Sequence, residues 1–352
     1  MDYQYPLLKK IFNYYKRDKI DLSDFYLYTC QHLLNPQYEM YKMFIKFGFE
    51  PKNITVLGKI YSSNVEIIEN LKSLGIQTIQ PDFDNTPFDK EHKKNCKFVV
   101  RDMSPKHKNI ILDDGGCLIN EAKIKNIYFA VEQTSSGFNK LKKVKLNFPV
   151  LNVARSKTKL TQESPIIARQ ALERISAYIQ NNNINSPKII IIGLGAIGNA
   201  VYQAFSEEDY NIKGFDIETD KKDILLYMKE EKPDIVIGAT GTKLLDKTDI
   251  ENLESNHTYH FISVSSSDRE FPVYYFRKNE KVHDDIKYNN FVFVNNGFPI
   301  SFKGNKYELT PIEIEKTIAL LMGSVFYGIS QKNCMNKGII NVPAELENLI
   351  NE

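Results

Sequence analysis

The chain has 352 residues, which is longer than one hydrophobic core usually supports, so two domains are expected. Its 42% hydrophobic and 26% charged residues exclude a disordered, collagen-like or membrane-embedded protein. Lys plus Arg (46) nearly cancel Asp plus Glu (44), and the net charge of +2 provides no field that would gather nucleic acid or an anionic membrane. A small-molecule substrate is therefore the expected partner.

The amino-terminal stretch MDYQYPLLKKIFNYYKRDK interrupts every apolar run with charged or tyrosine residues, so it predicts neither a signal peptide nor a membrane span. The four cysteines, Cys30, Cys96, Cys117 and Cys334, show no C-x-x-C spacing, so the sequence predicts no metal site and no disulfide framework. These features favour a cytoplasmic protein. A lysine cluster at residues 140–145 is either a phosphate patch or, more simply, a solvated helix face.

From Phe25 to Val153, short β-rich runs alternate with helical stretches, which is typical of an α/β domain. The predicted strands are DFYLYT, NITVLGK, IQTIQ, KFVV, NIILDD, IYFAVE and FPVLNVA. The amphipathic stretch SPIIARQALERISAYIQ and the polar bridge NNNINSP then lead into a second series, with the boundary near residues 155–187.

The second series has strands KIIIIG, NIKGFD, DIVIGATG, YHFISVS and FVFVNNG, whose Ile and Val runs suit a parallel sheet buried on both faces. After Gly304, PIEIEKTIALLMGSVFYGI predicts one helix, with Pro311 in its first turn, that returns to the first domain. The predicted fold class is α/β, with two Rossmann-like domains and mostly parallel sheets. A substrate or catalytic domain covers 1–160 and is completed by 305–352, and a dinucleotide-binding domain covers 161–304.

A glycine pattern follows the strand KIIII and opens the next helix, which is the context in which it indicates a dinucleotide site. Gly193 permits the tight turn, Gly195 lets the backbone approach a pyrophosphate, and Gly198 lets helix and strand pack closely. The helix amino terminus supplies amides and positive potential to the phosphates. A glycine-rich turn without a ligand is the alternative interpretation.

Asp216 ends the next strand, 18 positions after Gly198, close to the spacing expected of the acid that binds the ribose hydroxyls. A carboxylate there repels a 2′-phosphate, so the predicted cofactor is NAD. Nearby lysines keep NADP open as an alternative: Lys213, Lys221 and Lys222.

Polar clusters follow many of the predicted strands, and open α/β sheets bind ligands at the carboxyl ends of their strands. They comprise residues 30–32, 61–64, 113–116 and 132–137 in the first half, and 239–241, 263–268 and 295–297 in the second. Alone, His32 is more simply a satisfied histidine, but beside a carboxylate it forms the usual general acid–base pair. Lys159 and Glu163 are either an ordinary helical ion pair or a lysine that stabilises an alkoxide.

These residues resemble the S-adenosylhomocysteine hydrolase (adenosylhomocysteinase) family, with matches in order across nearly the whole chain. Residues 30–32 (CQH) resemble its catalytic C-L-H, residues 60–63 (IYSS) its I-F-S-T, and residues 111–116 (ILDDGG) its I-L-D-D-G-G. Residues 132–137 (EQTSSG) are similar to its E-E-T-T-T-G, and residues 149–153 (PVLNV), followed by Thr158-Lys159, to its P-A-I-N-V ahead of T-K.

The resemblance implies a bound NAD that oxidises a ribose 3′-hydroxyl. This oxidation acidifies the neighbouring C–H and permits loss of the 5′ substituent, after which the cofactor returns the hydride. It implies that Lys159 faces the oxidised hydroxyl with Glu163 in support, that His32 and Asp114 handle protons, and that Gln133 occupies a ribose-binding position. The predicted cofactor contacts are Thr134, Ser135 and Ser136 in the first domain and Gly193, Gly195, Ala196, Ile197, Gly198, Asp216, Ala239, Thr240, Gly241, Ser265 and Ser301 in the second. A homo-oligomer is expected, and no metal ligand is predicted.

Several departures fall on groups that contact the nucleoside or the cofactor in the family. Gln133 replaces a glutamate, Leu34 a threonine, Ser164 an asparagine and Ala168 a cysteine; residues 265–268 (SSSD) replace G-H-F-D, and residues 301–304 (SFKG) replace N-L-G-C. The M-G-H-P loop over the purine is missing, and NVPAELENLINE has no match to the family's carboxy-terminal Lys and Tyr arm. We therefore predict an adenosylhomocysteinase-like enzyme that oxidises a secondary alcohol of a nucleoside-like or other small substrate, not S-adenosylhomocysteine itself. A dehydrogenase that releases NADH and a catalytically silent NAD-binding regulator are the alternatives.

Overall fold

The structure is a computed structural model that describes residues 4–16, 20–216, 218–253, 256–305 and 310–352. The chain divides into two compact units. The first comprises Met1–Asp82, Glu91–Glu163 and Leu309–Glu352, and the second comprises Phe83–Lys90 and Ser164–Glu308. No helix in the described ranges combines the length and the apolarity needed to cross a lipid bilayer.

The first unit is built on a seven-stranded sheet in which neighbouring strands run parallel. Its strands are β1 (Phe25–Cys30), β2 (Ile54–Leu57), β3 (Gln77–Ile79), β4 (Lys108–Asp113), β5 (Ile127–Glu132), β6 (Pro149–Asn152) and, from the carboxy-terminal segment, β13 (Gly338–Asn341). Across the sheet the order is β13-β6-β5-β4-β1-β2-β3.

Helices cover this sheet, which is why its central strands are almost entirely buried. They are α1 (Pro6–Tyr15), α2 (Asn35–Phe47), α3 (Val65–Ser73), most of α4 (Phe88–Arg101), α5 (Cys117–Ala122), α6 (Ser135–Leu141), α11 (Pro311–Gln331) and α12 (Ala344–Asn351). Helix α11 packs on α1 and α2, where the ring of Phe326 stacks on Phe47 with centroids 3.8 Å apart. The predicted return of this helix to the first domain therefore occurs.

The second unit has a six-stranded sheet of order β11-β12-β10-β9-β7-β8. Its strands are β7 (Lys188–Ile192), β8 (Asn211–Phe215), β9 (Ile235–Gly238), β10 (Tyr259–Ser263), β11 (Ile286–Tyr288) and β12 (Phe291–Phe293), and its helices are α7 (Ser164–Asn181), α8 (Ala196–Glu207), α9 (Lys221–Glu231) and α10 (Lys247–Asn252). Every neighbouring pair is parallel except β11 with β12. The predicted fold class, α/β with two Rossmann-like and mostly parallel sheets, is confirmed.

The four isoleucines of β7 are buried on both faces of the sheet. Side chains alternate between the two faces of a sheet. Ile189 and Ile191 enter the core that contains Val201 of α8, whereas Ile190 and Ile192 enter the opposite core.

Three features differ from the sequence predictions. KFVV (residues 97–100) is not a strand but the last part of α4: Val99 and Val100 are buried while Phe98 is 44% exposed, which is helical spacing. The short strands β11 and β13 were not predicted, because their sequences show no clear alternation of apolar and polar residues. Residues 83–90, expected in the first domain, belong to the second unit, where the Phe88 N–H donates to Asp268 at 3.2 Å.

Candidate active site

The first unit has a topological switch point between β1 and β4. Strands β2 and β3 lie on the β1 side of it, and β5 and β6 lie on the β4 side. Ligands of open α/β sheets bind outside the carboxyl ends of the strands at such a point. His32 follows β1 and Asp114 follows β4, so the strand order brings these two predicted residues together.

His32 is held at both ring nitrogens. Its Nε2 lies 3.2 Å from Asp114 Oδ2, and its Nδ1 lies 2.5 Å from Ser62 Oγ, in the turn that follows β2. Burial lowers the pKa of His32, and although Asp114 opposes this, the charges of Lys59 and Lys159 lower the pKa further. The ring is therefore mostly neutral at neutral pH and ready to accept a proton.

Lys59 completes this cluster, and the sequence analysis missed it. The side chain is buried, and its Nζ donates to Asp114 Oδ1. Burial alone would raise the pKa of Asp114, but Lys59 and His32 together hold that pKa well below its usual range. The only sequence signal was a lysine in the turn that follows an apolar strand, a position where a solvated charge is the common interpretation.

The loop after β5 holds a buried carboxyl group next to the predicted cofactor contacts. Glu132 Oε1 accepts hydrogen bonds from the Thr134 N–H at 2.7 Å, the Thr134 hydroxyl at 2.8 Å and the Gly115 N–H at 3.2 Å. Burial raises the pKa of Glu132 to about 8, and burial raises the pKa of Asp113 to about 6. Gln133 is buried, and its N–H donates to the Asp113 carbonyl at 3.0 Å.

Thr134, Ser135 and Ser136 form the start of α6. The Thr134 hydroxyl accepts a hydrogen bond from the Gly137 N–H at 3.0 Å and so caps the helix. Ser135 is exposed and Ser136 is half-buried. The polar amino terminus of α6 therefore lies at the carboxyl edge of the sheet.

Lys159 and Glu163 lie in one π-helical turn, Lys159–Glu163, which precedes α7. Lys159 Nζ is 3.1 Å from Glu163 Oε1, and Glu163 Oε2 accepts a hydrogen bond from the Thr317 hydroxyl at 2.6 Å. Turns of this kind occur often at functional sites. Because the Lys159 charge acts on His32, Lys159 and its partner Glu163 are linked electrostatically to the pair of His32 and Asp114.

The carboxy-terminal helix α12 anchors the start of this turn. Glu347 Oε1 accepts a hydrogen bond from the Lys157 N–H at 3.1 Å, and its Oε2 accepts from the Thr158 N–H at 3.0 Å. Asn351 donates to the Thr158 hydroxyl at 3.0 Å. Helix α12 thus holds the backbone of Lys157 and Thr158, which leads into the Lys159 turn.

In the second unit the glycine turn joins β7 to α8 as predicted. Gly193 has a φ of 100°, which favours glycine, and a Cβ at Gly198 would lie 1.8 Å from the Gly193 carbonyl oxygen. A Cβ at Gly195 would meet no heavy atom of the described residues within 4 Å. Ala196 and Ile197 begin α8, so their amides border the space above Gly195.

Asp216 follows β8, which neighbours β7, and it is exposed at the same edge of the sheet. Two of the lysines that kept NADP open are engaged elsewhere. Lys213 Nζ lies 4.0 Å from the centre of the Tyr227 ring, and Lys221 pairs with Asp246 at 3.1 Å. These contacts favour the interpretation in which a carboxylate, not a cation, meets the ribose.

Glu270 underlies the predicted contacts at Ala239, Thr240 and Gly241, and the sequence analysis missed it. This buried carboxylate accepts hydrogen bonds from the Thr240 N–H at 2.6 Å, the Gly241 N–H at 3.0 Å and the Ser263 hydroxyl at 2.6 Å. The Glu270 side chain therefore holds the backbone of the turn after β9 in place.

The last two predicted cofactor contacts follow other strands of the second unit. Ser265 lies in the turn after β10, where its N–H donates to Ser263 Oγ at 3.2 Å. Ser301 is half-buried in the short helical segment Ile300–Asn305.

No protein-family model matches the chain. Two curated relatives, each an uncharacterized protein from a strain of Mycobacterium tuberculosis, are 29% identical over 334 residues, covering 88% of this chain. The chain spans 65% of the length of these relatives.

Several solved structures are similar at low identity. An NAD+-bound 3-phosphoglycerate dehydrogenase from Entamoeba histolytica is 8% identical with a TM-score of 0.42, covering 87% of this chain and 95% of its own. The dipicolinate synthase A chain of Bacillus subtilis is 8% identical with a TM-score of 0.38, covering 90% of this chain and 100% of its own. A D-isomer specific 2-hydroxyacid dehydrogenase from Lactobacillus delbrueckii ssp. bulgaricus, in its NAD complex, is 11% identical with a TM-score of 0.34, covering 87% of this chain and 97% of its own.

Proposed function

We propose that this chain is an NAD-dependent, adenosylhomocysteinase-like enzyme that oxidises a secondary alcohol of a nucleoside-like or other small substrate other than S-adenosylhomocysteine. The observation that carries the proposal is the contact of His32 with Asp114 at the switch point of the first unit. A binding fold without chemistry has no need for a partly buried, neutral imidazole beside a buried, ionised carboxylate.

His32 acts as the acid–base group. Its neutral ring accepts a proton from the substrate, and the ionised Asp114, 3.2 Å away, stabilises the imidazolium that forms. Lys159 supplies a positive charge to an alcohol oxygen as it loses its proton, and Glu163 orients that charge at 3.1 Å.

The second unit fits a dinucleotide. The open space above Gly195 and the amides of Ala196 and Ile197 suit a pyrophosphate, and Asp216 suits the ribose hydroxyls. NAD, when bound, supplies a hydride acceptor for the oxidation of an alcohol.

An altered substrate is supported by the groups that differ from the adenosylhomocysteinase pattern. Leu34 is buried at the start of α2 and cannot offer the hydrogen bond of the family's threonine, and the buried Gln133 lacks the negative charge of the family's glutamate. Loss of a buried hydrogen-bonding partner discriminates between substrates by roughly 10⁴-fold.

The first test identifies the substrate class. The purified protein is analysed by mass spectrometry for bound nucleotide and then incubated with S-adenosylhomocysteine and with a series of nucleosides and small secondary alcohols. We expect bound NAD, no release of homocysteine, and reduction of the cofactor by a member of the series. Rapid homocysteine release would refute the altered substrate, and a protein that binds no dinucleotide would refute the whole proposal.

The second test separates the three functions. Stoichiometric accumulation of NADH indicates a dehydrogenase, whereas transient reduction indicates an internal redox cycle. His32→Ala and Lys159→Ala should each abolish cofactor reduction, while His107→Ala, at a partly exposed histidine of the same unit that pairs with Asp24, should not. If both active-site variants keep the biological activity and Gly195→Val loses it, the protein is a silent regulator.

A further inference from the structure

The first unit gathers three of its four cysteines around one histidine, beneath the loops that carry His32 and Asp114. His92 and Cys96 lie one helical turn apart on α4, and Cys117 begins α5. The donor atoms of these three residues all lie within 4.8 Å of one another. Cys30, the last residue of β1, approaches the same histidine nitrogen.

The sulfur-to-nitrogen spacing of two of the cysteines is close to that of a tetrahedral metal site. Cys30 Sγ and Cys96 Sγ each lie 3.6 Å from His92 Nε2. Zn–S bonds of about 2.3 Å and Zn–N bonds of about 2.0 Å at tetrahedral angles place sulfur and nitrogen about 3.5 Å apart. Three sulfurs and one imidazole nitrogen form one of the ordinary ligand sets of a structural zinc site.

The surroundings also suit a metal ion. Cys30 and Cys96 are fully buried, His92 is 6% exposed and Cys117 is 9% exposed. A closed, buried set of sulfur and nitrogen donors of this kind is typical of a structural zinc site.

We propose that Cys30, His92, Cys96 and Cys117 bind one Zn²⁺ ion that positions the catalytic loops of the first unit. Cys30 lies two residues before His32, and Cys117 lies three residues after Asp114. An ion held between β1, α4 and α5 therefore ties the backbone of both catalytic residues to one point. The four ligands come from three separate segments, so no short motif signals them in the sequence.

Metal analysis of the purified protein tests this site. We expect about one zinc per chain in the wild type and in Cys334→Ser, whose cysteine is exposed and distant in the chain, and a loss of at least about tenfold in Cys96→Ser and His92→Gln. Replacement of zinc by Co²⁺ should give the intense visible absorption of a tetrahedral thiolate complex. Absence of zinc after refolding in excess Zn²⁺, or an octahedral cobalt spectrum, would overturn the proposal.

Thiol titration keeps the test valid if the variants fail to fold. In the wild type, removal of metal with a chelator should make three further thiols reactive, in addition to Cys334, and added Zn²⁺ should protect them again. Thiols that react equally with and without the chelator would contradict the site, as would a Cys96–Cys117 disulfide in a protein that contains no metal.

Discussion

Lys59 is expected to make a large contribution to the stability of the first unit. It is buried with Asp114, and removal of one partner from a buried ion pair leaves the other charge uncompensated. Lys59→Met should therefore lower the free energy of unfolding by about 3–5 kcal/mol. Urea denaturation measures this.

The control for Lys59 is an exposed pair. Lys72→Met removes the contact of Lys72 with Glu69, where both side chains are exposed, and should have little effect. Because the double variant Lys59→Met/Asp114→Asn removes both charges, it should recover part of the loss. Equal stabilities of Lys59→Met and Lys72→Met would contradict the buried pair.

Because the Glu132 side chain is buried, we predict that the thermal stability of the protein depends on pH. Its pKa is raised from 4.5 to about 8 by burial, so the folded state favours the protonated form. The stability that this group contributes is fully present at low pH and is lost as the pH rises through about 8. Between about pH 7 and about pH 9, above the pKa of Asp113, the Tm should fall in the wild type and stay nearly constant in Glu132→Gln.

Glu69→Gln is the matched control for this pH experiment, because Glu69 is an exposed carboxylate of the same unit. It should keep the wild-type slope of Tm against pH. A slope that persists in Glu132→Gln would mean that another group titrates in this range.

At the level of one turn, Gly195 and Gly198 should respond in opposite ways to substitution. A Cβ at Gly198 collides with the Gly193 carbonyl, whereas a Cβ at Gly195 meets only open space. Gly198→Val should therefore destabilise the protein, while Gly195→Val should keep the Tm and lose dinucleotide affinity. Thermal unfolding and NAD titration by calorimetry separate the two effects. An unchanged affinity for NAD in Gly195→Val would contradict the proposal that the dinucleotide binds at this turn.

The helix α12 is expected to influence catalysis through the π-helical turn. Glu347→Ala removes acceptors for the Lys157 and Thr158 amides, which should cost about 1–3 kcal/mol and lower the turnover more than it weakens NAD binding. Glu345→Ala, an exposed change in the same helix, is the control. Unchanged turnover in Glu347→Ala would mean that Lys159 does not need this anchor.

Across the whole molecule, two separate cores imply that a cofactor stabilises mainly the unit that binds it. At a concentration of NAD one hundred times its Kd, binding should stabilise the second unit by about 2.7 kcal/mol. Hydrogen exchange should then slow first in β7 to β10 and α8. Protection confined to the first unit would contradict the assignment of the cofactor.

Much of the fold was predictable because strand and helix periods are local properties. The run KIIII, the glycine turn and the helix from Pro311 each depend on neighbours in sequence, and all occur as predicted. KFVV failed because an apolar run of four residues suits a strand and a helix turn equally well. The candidate site could be predicted where polar residues directly follow a strand, because parallel strands bring their carboxyl ends to one edge of the sheet.

The sequence by itself determined the α/β class and the glycine turn, because each depends on a short segment. It also marked His32 and Asp114 as candidates, but their contact depends on the strand order. Only the tertiary structure decided that Lys59 joins Asp114, that Glu270 supports the turn after β9, and that Glu347 holds the start of the Lys159 turn. It also gathers Cys30, His92, Cys96 and Cys117. These partners lie far apart in the chain, and strand order, which depends on the packing of the whole sheet, determines which of them meet.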